Sequence, residues 1–172
     1  MRFRAPAVIA FAGALIMSSP APAAPVSPAD AAAIQTVLNH LSDAWNVHDM
    51  DAFVAETTPD VDWINVVGMH WQGRAAVRKA HIAFHKGMFA KSTLMPPEIT
   101  EMRELAPGVV LVVYISKIEG VGPTPGGAPY PGDGAIMTAV MVKTPEGWRI
   151  AHAHNTNINA MAVAHDPARA PD

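Results

Sequence analysis

The segment WRIAHAHNT, Trp148 to Thr156, sets His152 and His154 two residues apart, and RKAHIAFH, Arg78 to His85, sets His81 and His85 four apart. Residues i and i+2 share a strand face and residues i and i+4 share a helix face, so each pair can present two imidazoles to one point. Four neutral imidazoles (His81, His85, His152 and His154) would suit Zn²⁺, Cu²⁺ or Ni²⁺. The same rings can instead relay a proton, one neutral ring accepting while the other donates. They can also sit buried and hydrogen-bonded with no chemistry at all. Neither motif contains an Asp or Glu to complete a usual catalytic metal set. Strand parity groups His152 and His154 with Trp148 and Ile150, and sets Ala151, Ala153 and Asn155 on the other face. Parity alone does not say which face is internal.

The other chemistry-bearing residues are fewer. Asn65 is the odd polar residue in the β-branched and aromatic stretch DWINVVG, Asp62 to Gly68. It reads as an orienting amide or as a strand-end side chain bonding the following turn. Trp45, Trp63 and Trp71 could wall a pocket, though aromatics serve equally as core. Asp49 reads as a helix cap. Asp62 falls on the strand face opposite Trp63 and Asn65, as a surface or rim charge. No nucleophile-elbow, phosphate-loop or dinucleotide fingerprint is present, so no nucleotide or flavin cofactor is implied. The absence of cysteine excludes disulfides, thiolate metal sites and cysteine nucleophiles.

These residues need elements to position them. The chain has 172 residues, half of them hydrophobic and 16% charged, which suits one domain with a real core. Residues 1–23 combine two arginines, an apolar run and the small-residue Ala21-Pro22-Ala23 site of a secretory signal peptide. That run is shorter than the ~20 apolar residues a membrane span needs. Cleavage there would remove Arg2 and Arg4, leaving 10 basic against 15 acidic residues of an original 12 and 15. The expectation is a mildly acidic periplasmic or secreted protein with no membrane attachment and no nucleic-acid partner. Residues 24–29 read as a linker, 30–160 as the domain and 161–172 as a flexible tail.

Within the domain, Ser27 and Pro28 open a helix whose apolar residues Ile34, Val37, Leu38, Leu41 and Trp45 share a face and which stops near His48. Asp49 caps a shorter helix through Met50 and Phe53, broken at Pro59-Asp60. A strand at 62–67 and a third helix after Gly73 come next. Strands at about 98–105, 109–119, 135–143 and 148–157 then alternate hairpin-fashion, so the layout is α+β. Between the middle pair of these strands, GVGPTPGGAPYPGDG is mostly Gly and Pro and reads as a long loop, either a solvated excursion or a lid carrying Tyr130.

The helix ending in WNVHD, the run DVDWINVVGMHWQGR and the closing GWRIAHAHNT together resemble the nuclear-transport-factor-2-like superfamily, with its SnoaL-like and ketosteroid-isomerase-like members, and within it the SgcJ/EcaC-type branch. The resemblance spans roughly residues 31–159. It implies a cone-shaped fold, a curved antiparallel sheet wrapped around N-terminal helices with an internal pocket, commonly in a homodimer packed sheet to sheet. Asn65 falls where ketosteroid isomerases carry their aspartate base, and an amide cannot take a substrate proton. The oxyanion donors of that subfamily fall near Leu41 and within the apolar run Met137 to Val142, so steroid-type isomerisation is not expected. The positions of His81 and His154 match histidines of the branch. The resemblance therefore implies His81, His154 and Asn65 as the catalytic set, and Trp45, Trp63, Trp71, Asn155 and Tyr130 as ligand-binding residues. The expected function is an exported domain that binds a small lipophilic molecule, with histidine-assisted proton transfer if it is an enzyme. The alternatives are a non-catalytic binding or dimerisation module and a histidine-based metal protein.

Overall fold

A computed structural model describes residues 25–130, 132 and 134–169; the expected signal peptide lies outside them. Helix α1 (Pro28–Asn46) begins where the sequence places it, because the Ser27 hydroxyl accepts from the Asp30 N–H at 3.1 Å and Pro28 needs no donor there. Helix α2 (Met50–Ala55) is capped by Asp49, whose carboxylate accepts from the N–H groups of Asp51 and Ala52. Strand β1 (Thr57–Ile64), strand β2 (His70–Gln72) and helix α3 (Arg74–His85) follow. Strands β3 (Thr93–Leu94), β4 (Glu98–Ala106), β5 (Val109–Glu119), β6 (Gly134–Thr144) and β7 (Gly147–Asn157) complete the sheet. A short helix α4 (Ala160–Ala164) overlaps the start of the stretch expected as a flexible tail, and a single 3-10 turn (Pro167–Arg169) lies within it; none of their residues is buried.

The sheet runs β2-β1-β7-β6-β5-β3, with β4 also on β5, and curls around α1 and α3 as a half-barrel. It is mixed rather than wholly antiparallel, because β1 lies parallel to β7. Tight turns join β4 to β5 and β6 to β7, and the Gly/Pro-rich loop joins β5 to β6, all as antiparallel neighbours, but β1 and β7 are joined through most of the domain, and a connection that long leaves orientation free. Two short strands were not legible in the sequence. Strand β2 closes a hairpin on β1 through the Gly68 turn. Strand β3 is held by Asn46 at the end of α1, whose amide donates to the Leu94 carbonyl at 2.9 Å and accepts from the Leu94 N–H at 2.7 Å. Pro96 and Pro97 then separate β3 from β4 along the same edge of β5.

The core lies in the concavity, where Ile34 and Leu38 of α1 meet Val110, Val112, Met141 and Ile150 of the sheet. Each such side chain contributes ~1.5–3 kcal/mol on burial. One irregularity decides which side chains of β7 reach that interior. Ile150 pairs with Met141 and His152 with Val140, so Ala151 is an extra residue without a partner. This bulge reverses parity. Trp148 and Ile150 face inward before it, and Ala153 does so after it, while His154 is exposed.

The start of α1 is tied to the β6–β7 hairpin by one carboxylate. Asp30 accepts from Lys143 Nζ at 2.7 Å, from Trp148 Nε1 at 3.0 Å and from the Ser27 hydroxyl at 2.9 Å. These hydrogen bonds, Lys143 foremost, hold its carboxyl down at about 2. A depressed carboxyl stabilises the fold above its unfolded pKa and loses that contribution as pH falls through the folded one. The Asp30→Ala variant is therefore expected to have a lower Tm than wild type at pH 7, with the gap closing as pH falls from about 4 to about 2. Thermal melts followed by circular dichroism across that range measure it.

Candidate functional site

Between α1, α3 and the concave face lies a cavity of about 290 Å³, at the small end of the ~300–1,000 Å³ typical of small-molecule sites. Leu38, Leu41 and Trp45 enter from α1, Trp63 and Trp71 from β1 and β2, and His81 and Phe84 from α3. Tyr114 and Met137 line the sheet side. Thr124, Pro125 and Tyr130 bring the Gly/Pro-rich loop onto the same cavity, so that loop packs as a cover. Its foot is fixed by a close approach. At Gly120, which has φ +68°, a Cβ would lie 2.4 Å from the Lys91 carbonyl oxygen, and the Gly122 N–H donates to the Met88 carbonyl at 2.7 Å. Among the described lining residues none is Lys, Arg, Asp or Glu.

His81 is buried within four aromatic rings, with centroids 4.7 Å away for Phe53, 5.3 Å for Trp71, 5.5 Å for Trp63 and 5.9 Å for Trp45. Its Nδ1 lies 2.8 Å from the Val77 carbonyl, which can only accept, so Nδ1 carries the proton and the neutral ring keeps its lone pair on Nε2. Burial lowers its pKa to about 4. His81 is thus uncharged at neutral pH.

His85, one turn on, turns away from the cavity. Its Nδ1 is 2.6 Å from His48 Nδ1 and its ring packs 4.3 Å from Trp45. Burial, and then the neighbouring His48 and His81, lower its pKa to about 4 as well. His48 reaches this contact from a left-handed backbone, φ +59°, just past the end of α1.

The four histidines raised as a metal set do not converge. The bulge at Ala151 puts His152 and His154 on the outer face of the sheet, where His152 pairs with Asp62 and His154 with Ile64 of β1. Among the described residues no group of three or more His, Asp or Glu side chains is arranged to hold a metal ion. His154 is exposed and shares no pocket with His81, so the pair does not form a relay. What reaches the cavity from β7 is Asn155. Asp62 stays outside, as its parity requires, hydrogen-bonded to His70 Nε2 at 2.9 Å, and that contact lowers its pKa.

Asn65 lines the cavity, but its carbonyl oxygen accepts from the Val67 and Met69 N–H groups at 3.2 and 2.8 Å. It holds the β1–β2 turn and keeps only its NH₂ for anything else. Of the tryptophans, Trp45 spends its N–H on the Ser92 hydroxyl at 3.0 Å. Tyr130 packs on Phe89 with centroids 6.2 Å apart, and its hydroxyl donates to Asn157 Oδ1 at 3.3 Å. Sequence reading missed Tyr114. It shares strand parity with Val110 and Val112, which would have marked its phenol as internal, and burial pushes its pKa up. Arg74, at the close of the GMHWQGR segment, donates to the Thr57 carbonyl and braces β1.

The state of His81 has a measurable consequence. Its folded pKa lies below the ordinary value of 6.5, so the unfolded chain takes up a proton first as pH falls. Stability is expected to decline from about pH 6.5 down to about pH 4, by ~3 kcal/mol for this ring alone. The variant His81→Gln should flatten that decline in urea titrations run at stepped pH, and an unchanged slope would contradict the burial-neutralised ring.

The SnoaL-like domain description matches residues 38–152. Among solved structures, an uncharacterised protein with a cystatin-like fold from Caulobacter vibrioides is 34% identical, covering 81% of this chain and 97% of its own, with a TM-score of 0.72. A domain of unknown function from Nostoc punctiforme is 22% identical over 81% of this chain and 84% of its own, with a TM-score of 0.68. A ketosteroid isomerase-like protein from Erwinia carotovora atroseptica is 16% identical over 77% of this chain and 99% of its own, with a TM-score of 0.61, and shares the fold. No curated protein matches the sequence. With the half-barrel, the enclosed pocket and a match across most of its length, the chain belongs to the SnoaL-like family.

Proposed function

We propose that this SnoaL-like domain is exported and holds a small lipophilic molecule in the cavity between α1, α3 and the sheet. SnoaL-like domains bind small molecules and often are enzymes. The observation that carries the reading here is an aromatic cavity without a formal charge among its described lining residues, into which one neutral imidazole is set. If the domain turns its ligand over, His81 is the imidazole among the described lining residues that is positioned to move a proton, with Nε2 as acceptor. A neutral ring whose pKa is about 4 is a weak base, so it suits an acidic C–H or O–H better than an unactivated one. Asn65 supports such a step as a hydrogen-bond donor and not as a base. The second reading, a binding module without chemistry, rests on the same cavity, with His81 as a ligand hydrogen-bond acceptor only.

We also propose a homodimer through the convex face. Leu111, Val113 and Ile115 of β5 alternate with the core residues of that strand, and Ile136 and Val140 continue the apolar patch on β6, Ile136 being 44% exposed. Such a face is what a second copy would cover.

Ligand binding is tested by titrating neutral ring compounds against the intrinsic fluorescence of the pocket tryptophans. Saturable quenching at micromolar concentrations is expected, and Trp71→Phe should reduce its amplitude. His81→Gln should abolish any turnover if the domain is an enzyme; turnover surviving that change would remove His81 from the mechanism. Analytical ultracentrifugation is expected to give a dimer that Ile136→Asp converts to monomer. Export is tested by the mass of the mature protein in periplasmic or culture fractions, which should lack about the first 23 residues.

A further inference from the structure

His81 and His85 stand one turn apart on α3, and the Nε2 atoms of the two rings meet opposite surroundings. His85 Nε2 is sealed without a partner, as are Oγ1 of Thr58, Nε of Arg74 and Oδ1 of Asn155, so it is closed to a ligand. His81 Nε2 also has no hydrogen bond with the described residues, but it is not one of those sealed atoms, and its ring lines the cavity. The proton on Nδ1 is committed to the Val77 carbonyl at 2.8 Å, so what Nε2 offers is a lone pair. Phe53, Trp71, Trp63 and Trp45 surround the ring with centroids between 4.7 and 5.9 Å away, and none of the four side chains carries an acceptor. A water that gave one proton to Nε2 would find no acceptor among those rings for its second. An acceptor left unpaired in such a place is costly. The other polar groups of the lining discriminate less. Asn65 has only its NH₂ left to donate, and the Tyr114 phenol, whose pKa burial alone raises, can either donate or accept.

We infer that the ligand is an uncharged ring compound bearing a hydroxyl, whose single O–H donates to His81 Nε2 while its carbon framework packs against Phe53 and the tryptophans. This rests on the proposed function and names the ligand class for the same cavity. A ligand with acceptors alone, a ketone or an ether, could meet Asn65 and Tyr114 but would set lone pair against lone pair at Nε2. A carboxylate would do the same and add a buried charge that no Lys or Arg of the described lining balances. An ammonium group could donate to Nε2, but it would be buried with no carboxylate beside it. An alcohol or phenol has one proton to give, which is what one lone pair takes.

Compounds of one shape test this by calorimetry on the full chain at about pH 7: 2-naphthol, 2-methoxynaphthalene, naphthalene and protonated 2-naphthylmethylamine. The naphthol is expected to bind about fivefold more tightly than the ether, as one net hydrogen bond allows, and more tightly than naphthalene or the amine. In His81→Phe, which keeps a flat ring and removes the acceptor, the naphthol-to-ether ratio should fall to about one, with a thermal melt to show that the variant is folded. A readout on the unaltered chain is the ¹⁵N spectrum of histidine-labelled protein, in which the unprotonated Nε2 of His81 should move upfield with the naphthol and stay in place with the ether. Equal affinities for naphthol and ether, tighter binding of naphthalene or the amine, a ratio unchanged in folded His81→Phe, or an Nε2 resonance that the naphthol leaves unmoved overturns the hydroxyl assignment and leaves the cavity a binding site. Binding of none of these compounds by the folded chain overturns the proposed function and the assignment together.

Discussion

Ala151 is one residue more than the β6–β7 ladder can pair, and the insertion sets the chemistry of the interior. Before it, Trp148 and Ile150 fill the concavity; after it, the inward side belongs to Ala153 and Asn155, and the imidazoles of His152 and His154 lie on the outer face. An uninterrupted strand would have sent two histidines into the cavity and an amide to the surface. The bulge also increases local twist, which suits a sheet that must curl around α1. The polar character of the pocket wall therefore follows from a backbone event and not from the residue types of the strand taken alone.

A second constraint is charge. Among the described lining residues the cavity has three tryptophans, apolar side chains and uncharged polar groups, and the one histidine among them is kept neutral by burial. In such surroundings a hydrogen bond is stronger than in water and an unpaired charge is far more costly. The ionised groups that hold the fold lie elsewhere. Asp30 joins α1 to the β6–β7 hairpin, and Asp51 pairs with Arg78 between α2 and α3 at 2.5 and 2.8 Å. Both pairs are near solvent, so charge pins the outside of the domain while the described interior is held by apolar packing and hydrogen bonding.

Several residues that make the chain recognisable serve the backbone. Asn46 binds both polar groups of Leu94, Asp49 caps α2, Arg74 supports Thr57, and the Asn65 carbonyl closes the β1–β2 turn. They explain why the motif segments are specific for a fold without being specific for a reaction. Asn65 stands apart because half of its amide is spent on the turn and half is left facing the cavity.

The sequence by itself determined the three helices, their caps and the four long strands, because apolar periodicity, Ser, Asp and Pro at helix starts and Gly at turns act over a few residues. It also marked the tryptophans and His81 as internal, since helical spacing and strand alternation survive without knowledge of partners. Tertiary structure decided the parallel docking of β1 on β7, the short strands β2 and β3, and the outward turn of His154. Those depend on pairing between segments distant along the chain, and a single unpaired residue such as Ala151 leaves no local signature while inverting every side chain beyond it.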